Sequence, residues 1–244
     1  MKITTDALIV RENNNIGESD RFITALTREC GVIRASVRGA RNLKNRNNTA
    51  TGLLCHSRLT LFKGRDKYIV DDAEPLHVFF KVREQLDSLA LAQYFCELAG
   101  VLAPQEEPAE EALRLLLNSL HYLAEEKRPL PLLKAVTELR LLCQAGYMPQ
   151  VAECAGCGTQ NGTWFSPSQG VLLCENCHGN IPALPISASV LTAMRHIVYA
   201  PLERSFAFSL PDAELAALCD VSEKLLLAQL GRGFNTLDFY HSIT

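Results

Sequence analysis

The sequence predicts an α+β protein: an N-terminal five-stranded β-barrel, then an all-helical domain into which a four-cysteine module is inserted. Three observations predict it. Short β-branched runs separated by Gly- and Asn-rich turns fill residues 1–78, and apolar residues at helical spacing fill 79–244. Two Cys-x-x-Cys pairs interrupt the helical half within 150–182. With 244 residues, 48% of them hydrophobic, the chain can bury one large core or two modest ones.

Five runs read as strands: Ala7 to Arg11, Arg21 to Arg28, Val32 to Arg38, Leu53 to Phe62 and Lys67 to Asp72. Between them lie Asn13-Asn14-Asn15-Ile16-Gly17, Gly31, a loop from Arg41 to Gly52, and Gly64. The third run alternates cleanly, with Ile33, Ala35 and Val37 pointing one way and Arg34, Ser36 and Arg38 the other. One face fills a barrel. The other carries guanidinium groups roughly 6 to 7 Å apart, close to the phosphate repeat of an extended single strand.

Charge is divided unevenly along the chain. Residues 1–80 hold 13 basic and 9 acidic residues, a net +4, which leaves −7 on the remainder. Between Arg28 and Lys67 ten basic residues face only Glu29 and Asp66. Scattered cations on a solvated surface are the plain reading of such a bias; clustering on one small module favours a polyanion. A five-stranded barrel with a basic face and basic loops matches the oligonucleotide-binding OB-fold. The expected nucleic-acid ligands are Arg34, Arg38, Arg41, Lys44, Arg46, Arg58, Lys63, Arg65 and Lys67. Arg41 to Asn48 is polar and unpatterned, suited to closing over a backbone. Phe22, Phe62 and Tyr68 are candidate stacking platforms, each equally explicable as core. Binding should therefore be dominated by phosphates, with a log–log salt slope near about −5 if about seven are contacted.

From residue 77 the period becomes helical. Leu86 to Leu102 is apolar nearly all round and belongs at the centre of its domain. Leu113, Leu116, Leu117, Leu120 and Leu123 form a second helix that stops before Arg128-Pro129, and Leu132 to Ala145 a third that closes at Gly146. Beyond the cysteine module, helical stretches are expected near Ser189 to Tyr199 and Asp212 to Leu230.

Cys154-Ala-Gly-Cys157 and Cys174-Glu-Asn-Cys177 are separated by sixteen residues, the spacing of a closed tetrahedral zinc site with a short hairpin between its halves. Cys154, Cys157, Cys174 and Cys177 are the expected ligands of one structural Zn2+. Four thiolates leave no open position for catalysis. His178 is either a substitute ligand or an exposed neighbour, and a redox pair is the rival reading of the cysteines. The remaining five, Cys30, Cys55, Cys96, Cys143 and Cys219, lie in mostly apolar company and read as core thiols of a reducing compartment.

No leader-like opening and no apolar run of about 18 residues is present, so a cytoplasmic protein without a membrane partner is expected. Neither Asp71-Asp72, Glu106-Glu107 nor the six histidines form a catalytic pattern, and no phosphate-binding glycine loop ends in Lys-Ser/Thr. An enzyme with a small-molecule substrate is not expected.

The chain resembles the RecO family of bacterial recombination mediators. The resemblance is carried over nearly the whole length by an ordered set: Ala7-Leu8-Ile9-Val10, Gly17-Glu18-Ser19-Asp20-Arg21, Gly31-Val32, Arg38-Gly39-Ala40-Arg41, Lys63-Gly64, Leu139-Arg140-Leu141-Leu142, Gly146-Tyr147-Met148-Pro149 and the two cysteine pairs. It implies a non-catalytic protein that binds single- and double-stranded DNA and anneals strands. It further implies that the protein acts with RecR to load RecA onto DNA coated by single-stranded-DNA-binding protein, in RecF-pathway repair and recombination at the nucleoid. Arg140 is the candidate partner for the acidic C-terminal tail of the coating protein, an ordinary solvated or salt-bridged arginine being the alternative. Where many relatives follow Gly-Ala-Arg with a basic segment ending in Lys-Ser, this chain has Lys44-Asn45-Arg46-Asn47-Asn48, which keeps the charge but alters the loop's contact geometry. Two other classes stay open: a zinc-containing thiol redox switch and an RNA-binding zinc-ribbon protein.

Overall fold

A computed structural model describes residues 1–13, 20–38, 47–64 and 67–244. Packing divides it into two units, Met1–Lys127 with Asn235–Thr244, and Arg128–Phe234. The helical half is thus shared between the units.

In the first unit, β1 (Lys2–Asn13), β2 (Arg21–Thr27), β3 (Gly31–Val37), β4 (Cys55–Lys63) and β5 (Tyr68–Val78) close into a barrel in the order β1-β2-β3-β5-β4. β1 pairs antiparallel with both β2 and β4, and β3 runs parallel to β5. This is the five-stranded OB-fold expected from the sequence. Alternation puts Ala7, Ile9, Ile23, Ala25, Ile33, Ala35, Val37, Leu59, Leu61 and Val70 inside. β1 and β5 extend beyond the runs expected from the sequence because Lys2 to Asp6 and Ala73 to Val78 also pair along β4.

The segment expected to be loop up to Gly52 contains a helical turn, α1 (Asn47–Ala50). Arg21 supports this turn from afar: its Nη2 donates to Asn48 O at 3.5 Å and, just past the turn, to Thr51 O at 3.1 Å and Thr51 Oγ1 at 2.5 Å, while Nη1 holds Glu12 at 3.0 Å. No local periodicity could have indicated that support.

The same unit holds α2 (Leu86–Leu102), α3 (Glu110–Glu125) and, from the end of the chain, α8 (Asn235–Ile243). Tyr94, Phe95, Leu91 and Leu98 of α2 are fully buried, whereas Leu86 and Val101 at its ends are exposed. The linker between α2 and α3 docks on the barrel, Val32 N donating to Pro104 O at 2.8 Å and Ala109 N to Arg28 O at 2.9 Å. That approach requires a glycine: Gly31 has φ +60°, and a Cβ there would lie 2.2 Å from Pro104 O. α8, which the sequence pattern did not single out, is fixed by Glu97 of α2, whose carboxylate accepts from Thr236 Oγ1 at 2.5 Å.

The second unit contains α4 (Leu130–Gln144), the cysteine module, α6 (Ala188–Tyr199) and α7 (Asp212–Leu230). The module is a three-stranded sheet, β6 (Trp164–Ser166), β7 (Val171–Leu173) and β8 (Leu184–Pro185) in the order β7-β6-β8, with one helical turn, α5 (Glu175–His178). The β6–β7 hairpin is the expected return that brings the second cysteine pair to the first. At the centre of the helices, Lys134 on α4 binds Glu138 at 2.8 Å and Glu223 of α7 at 2.7 Å, with Lys134 and Glu138 only 3% and 0% exposed. Both acids outweigh the effect of burial, which alone would lower the lysine, and hold its ammonium above the usual range.

Candidate nucleic-acid interface and metal centre

β3 presents Arg34 outward, exposed, between inward Ile33 and Ala35. Ala35 pairs with Tyr68, so in this parallel register Arg34 and Lys67 are neighbours at the start of β5; Lys67 is likewise exposed. On the other side Arg34 pairs with Thr24 of β2, and Thr24 with Arg11 of β1. Arg11 was missed by the sequence pattern. It lies two residues after Ile9, whose side chain is inside, but a bulge at Val10 reverses the alternation and turns Arg11 out. Among the described residues, none of Arg11, Arg34 and Lys67 has an ion pair with a carboxylate.

The other candidates are placed differently. Arg38 follows β3 directly and is exposed. Lys63 ends β4 and bonds Glu106 at 3.1 Å; hydrogen bonding to Tyr68 and Glu106 holds its ammonium above the ordinary range. Arg58 belongs to another side of the barrel, where it binds Asp6 at 3.1 Å, shares that carboxylate with Arg28, and stands opposite Glu74. Its charge is compensated, so the fourth strand does not repeat the pattern of the third. Arg41, Lys44, Arg46 and Arg65 lie outside the described residues, as does Gly17-Glu18-Ser19.

Of the three candidate aromatics, Tyr68 is core, under the Lys63 ammonium at 5.0 Å. Phe22 is half-buried and carries the Arg34 guanidinium 5.0 Å from its ring centre. Phe62 is 51% exposed.

Cys154, Cys157, Cys174 and Cys177 come together with all four sulfurs within 4.8 Å of one another, a set able to hold a metal ion. The Cys157 and Cys174 sulfurs are 3.7 Å apart, against about 3.8 Å for a tetrahedron with metal–sulfur bonds of about 2.3 Å. Cys174 N donates to Cys154 Sγ at 3.2 Å. Burial pushes the Cys154 thiol up, but the backbone N–H groups of Gly156, Cys174 and Cys157 outweigh it and bring it down to about 6. Hydrogen bonds with the Cys174 and Cys157 sulfurs push the Cys177 thiol the other way, up to about 12, so the backbone field favours thiolate at Cys154 and a cation has to displace protons from the rest of the set. Gly156 is required by space, since a Cβ would fall 2.9 Å from Cys177 Sγ. His178 is outside the set; its ring meets Trp164 edge-on at 4.1 Å, while Trp164 Nε1 donates to Glu175 at 2.7 Å.

The first cysteine turn is held by a residue the sequence did not single out. Arg195 of α6 donates from Nε to Val151 O and from Nη2 to Ala152 O and Gln160 O, each at 2.8 Å. Arg140 does similar work within the helices: its Nη1 donates to Ile197 O, Val198 O and Ala200 O at 3.1 to 3.3 Å, capping the C-terminus of α6, while its buried Nε has no acceptor among the described residues. Cys30, Cys55 and Cys96 are buried and Cys143 and Cys219 half-buried; burial raises the Cys96 thiol to about 12. No described helix is long and apolar enough to cross a membrane.

Comparison with known proteins agrees with this architecture. Residues 1–79 match the family model described as Recombination protein O N terminal, and residues 83–238 the one described as Recombination protein O C terminal. A protein of Acetivibrio thermocellus named DNA repair protein RecO is 33% identical over 99% of this chain and 97% of its own length. One of the same name from Symbiobacterium thermophilum is 35% identical over 98% and 96%, and one from a Roseiflexus species 36% identical over 93% and 79%. Both halves of the sequence, barrel and cysteine-bearing helices alike, therefore place the chain in the RecO family of recombination and DNA repair proteins.

Proposed function

We propose that this protein is a non-catalytic DNA-binding recombination mediator, gripping DNA phosphates on the outer wall of its barrel and annealing complementary strands. The observation that carries the reading is the cationic row Arg11, Arg34 and Lys67, without carboxylate partners among the described residues, on the β1-β2-β3-β5 face of an OB-fold. Arg38, exposed directly after β3, and Lys63 at the end of β4 border the row, and Arg41, Lys44, Arg46 and Arg65 are proposed as further phosphate ligands on their charge in the sequence alone. Arg58 is a weaker contributor because Asp6 already neutralises it. Binding of this kind displaces counterions from DNA and screens the repulsion between two strands brought to one surface, which is the physical step annealing needs.

Family membership supports the wider role: action with RecR to load RecA onto DNA coated by single-stranded-DNA-binding protein, in the cytoplasm at the nucleoid. Zn2+ is the metal that best fits a four-cysteine set with no coordination position left over, and its role here is architectural. Arg140 remains the proposed partner of the coating protein's acidic tail, donating to its carboxylates from the guanidinium N–H groups not committed to α6. Arg140→Ala should lose affinity for the tail peptide with α6 still folded; unchanged affinity removes the assignment.

The central test is single-strand affinity as a function of salt for the Arg11→Ala/Arg34→Ala/Lys67→Ala variant. Removing three cations that face phosphates should flatten the log–log slope by about 2, from near −5, with a parallel fall in annealing. An unchanged slope in a folded variant places the DNA elsewhere.

A further inference from the structure

Directly beside the cationic row runs a second row of outward side chains that is apolar. Phe22 of β2 pairs with Ser36 of β3, Ser36 with Ile69 of β5, and Ile69 with Phe62 of β4. Residues directly opposite in a ladder project from the same face, so Phe22, Ile69 and Phe62 share one line around the barrel, broken only by the small hydroxyl of Ser36. Three inter-strand steps span roughly 14 Å, enough for about two nucleotides of an extended strand. Phe62 is 51% exposed, Phe22 and Ile69 are half-buried, and none of the three belongs to the barrel core. The Arg34 guanidinium lies over the Phe22 ring, joining the two rows.

We propose that this row is a stacking platform for unpaired bases, so that the barrel holds a single strand by its bases as well as by its phosphates. The proposal rests on the polynucleotide reading above and deepens it. The cationic neighbours supply the charge complementarity that selects a polyanion, and the apolar line supplies what a polyanion with exposed π-faces can use. A base-paired duplex has its faces already stacked and offers this row nothing. The barrel therefore prefers single strands, and its hold weakens when two strands pair, which lets the annealed product leave.

The experiment uses the full chain with fluorescently labelled oligonucleotides of equal length and charge: a normal single strand, an abasic single strand and a duplex. The wild-type protein should bind the normal strand on the order of ten-fold more tightly than the abasic one. Phe62→Ala should erase that preference without changing the salt slope or the duplex affinity, and Phe62→Tyr should keep it. Phe62 is exposed, so neither change threatens the fold. Equal wild-type affinity for normal and abasic strands overturns the stacking platform while leaving phosphate binding intact. Equal losses on all three ligands in Phe62→Ala also overturn it. Failure of the wild-type protein to bind any of the three overturns the polynucleotide reading itself.

Discussion

The cations of the Arg11–Arg34–Lys67 row and those at Lys134 and Arg195 in the Arg128–Phe234 unit have the same chemistry and opposite employment. On the barrel, Arg11, Arg34 and Lys67 extend from a sheet face with no carboxylate among the described residues near enough to pair. In the other unit Lys134 is buried between two acids, while Arg195 donates to three backbone carbonyls. The difference teaches that a basic residue's role is set by what its donors face. Where the protein already saturates them the residue is architecture, and where it leaves them in water they are available to a ligand.

Removing the proposed zinc ion should give the largest effect and break the comparison most sharply. Bound zinc contributes about 10 to 16 kcal/mol to folding in small modules, so chelation or Cys154→Ser should unfold residues 150–182. The single tryptophan, Trp164, reports this by fluorescence. Single-strand affinity of the barrel should survive; its loss in step with the metal would mean that the two regions are not functionally separate.

Next in size is Lys134→Ala, which leaves Glu138 buried without its cation and should cost about 3 to 5 kcal/mol by denaturant melts. Lys134→Met with Glu138→Leu should recover most of that, since the pair is then replaced by apolar volume. The lysine's folded pKa is raised, so its contribution is complete below the unfolded value of about 10.4 and declines only as the solution becomes strongly alkaline. A melt series between pH 5 and 9 should show no step from this group.

Arg195→Ala should cost about 2 kcal/mol of stability by exposing the carbonyls of the first cysteine turn, with an unchanged DNA salt slope. Arg34→Ala sharpens the contrast from the other side: stability within about 0.5 kcal/mol of wild type, but a slope on single strands shallower by about 0.7. Should Arg195→Ala alter the slope, or Arg34→Ala the melting curve, the division between architectural and available cations fails.

Much of this was legible in the chain. β3 was readable because Ile33, Ala35 and Val37 alternate with Arg34 and Ser36, and α2 because its residues are apolar on every side. The four sulfurs were readable because ligand spacing is a local property. Arg11 was hidden by a bulge that changes its parity, and α8 by packing on a helix more than a hundred residues earlier. Arg58 looked equivalent to Arg34 because the acid that neutralises it, Asp6, is 52 residues away in sequence and adjacent only through β1–β4 pairing.

By itself the sequence determined the five barrel strands and the five longest helices, which four cysteines can share an ion, and that cations crowd the first eighty residues. These follow from interactions between near neighbours, whose geometry the backbone period sets in advance. Only the tertiary structure decided which cations are available, which aromatics face outward, and what holds the cysteine turns in place. Those outcomes depend on cross-strand register and on donors reaching distant carbonyls, and neither quantity exists until the chain has closed on itself.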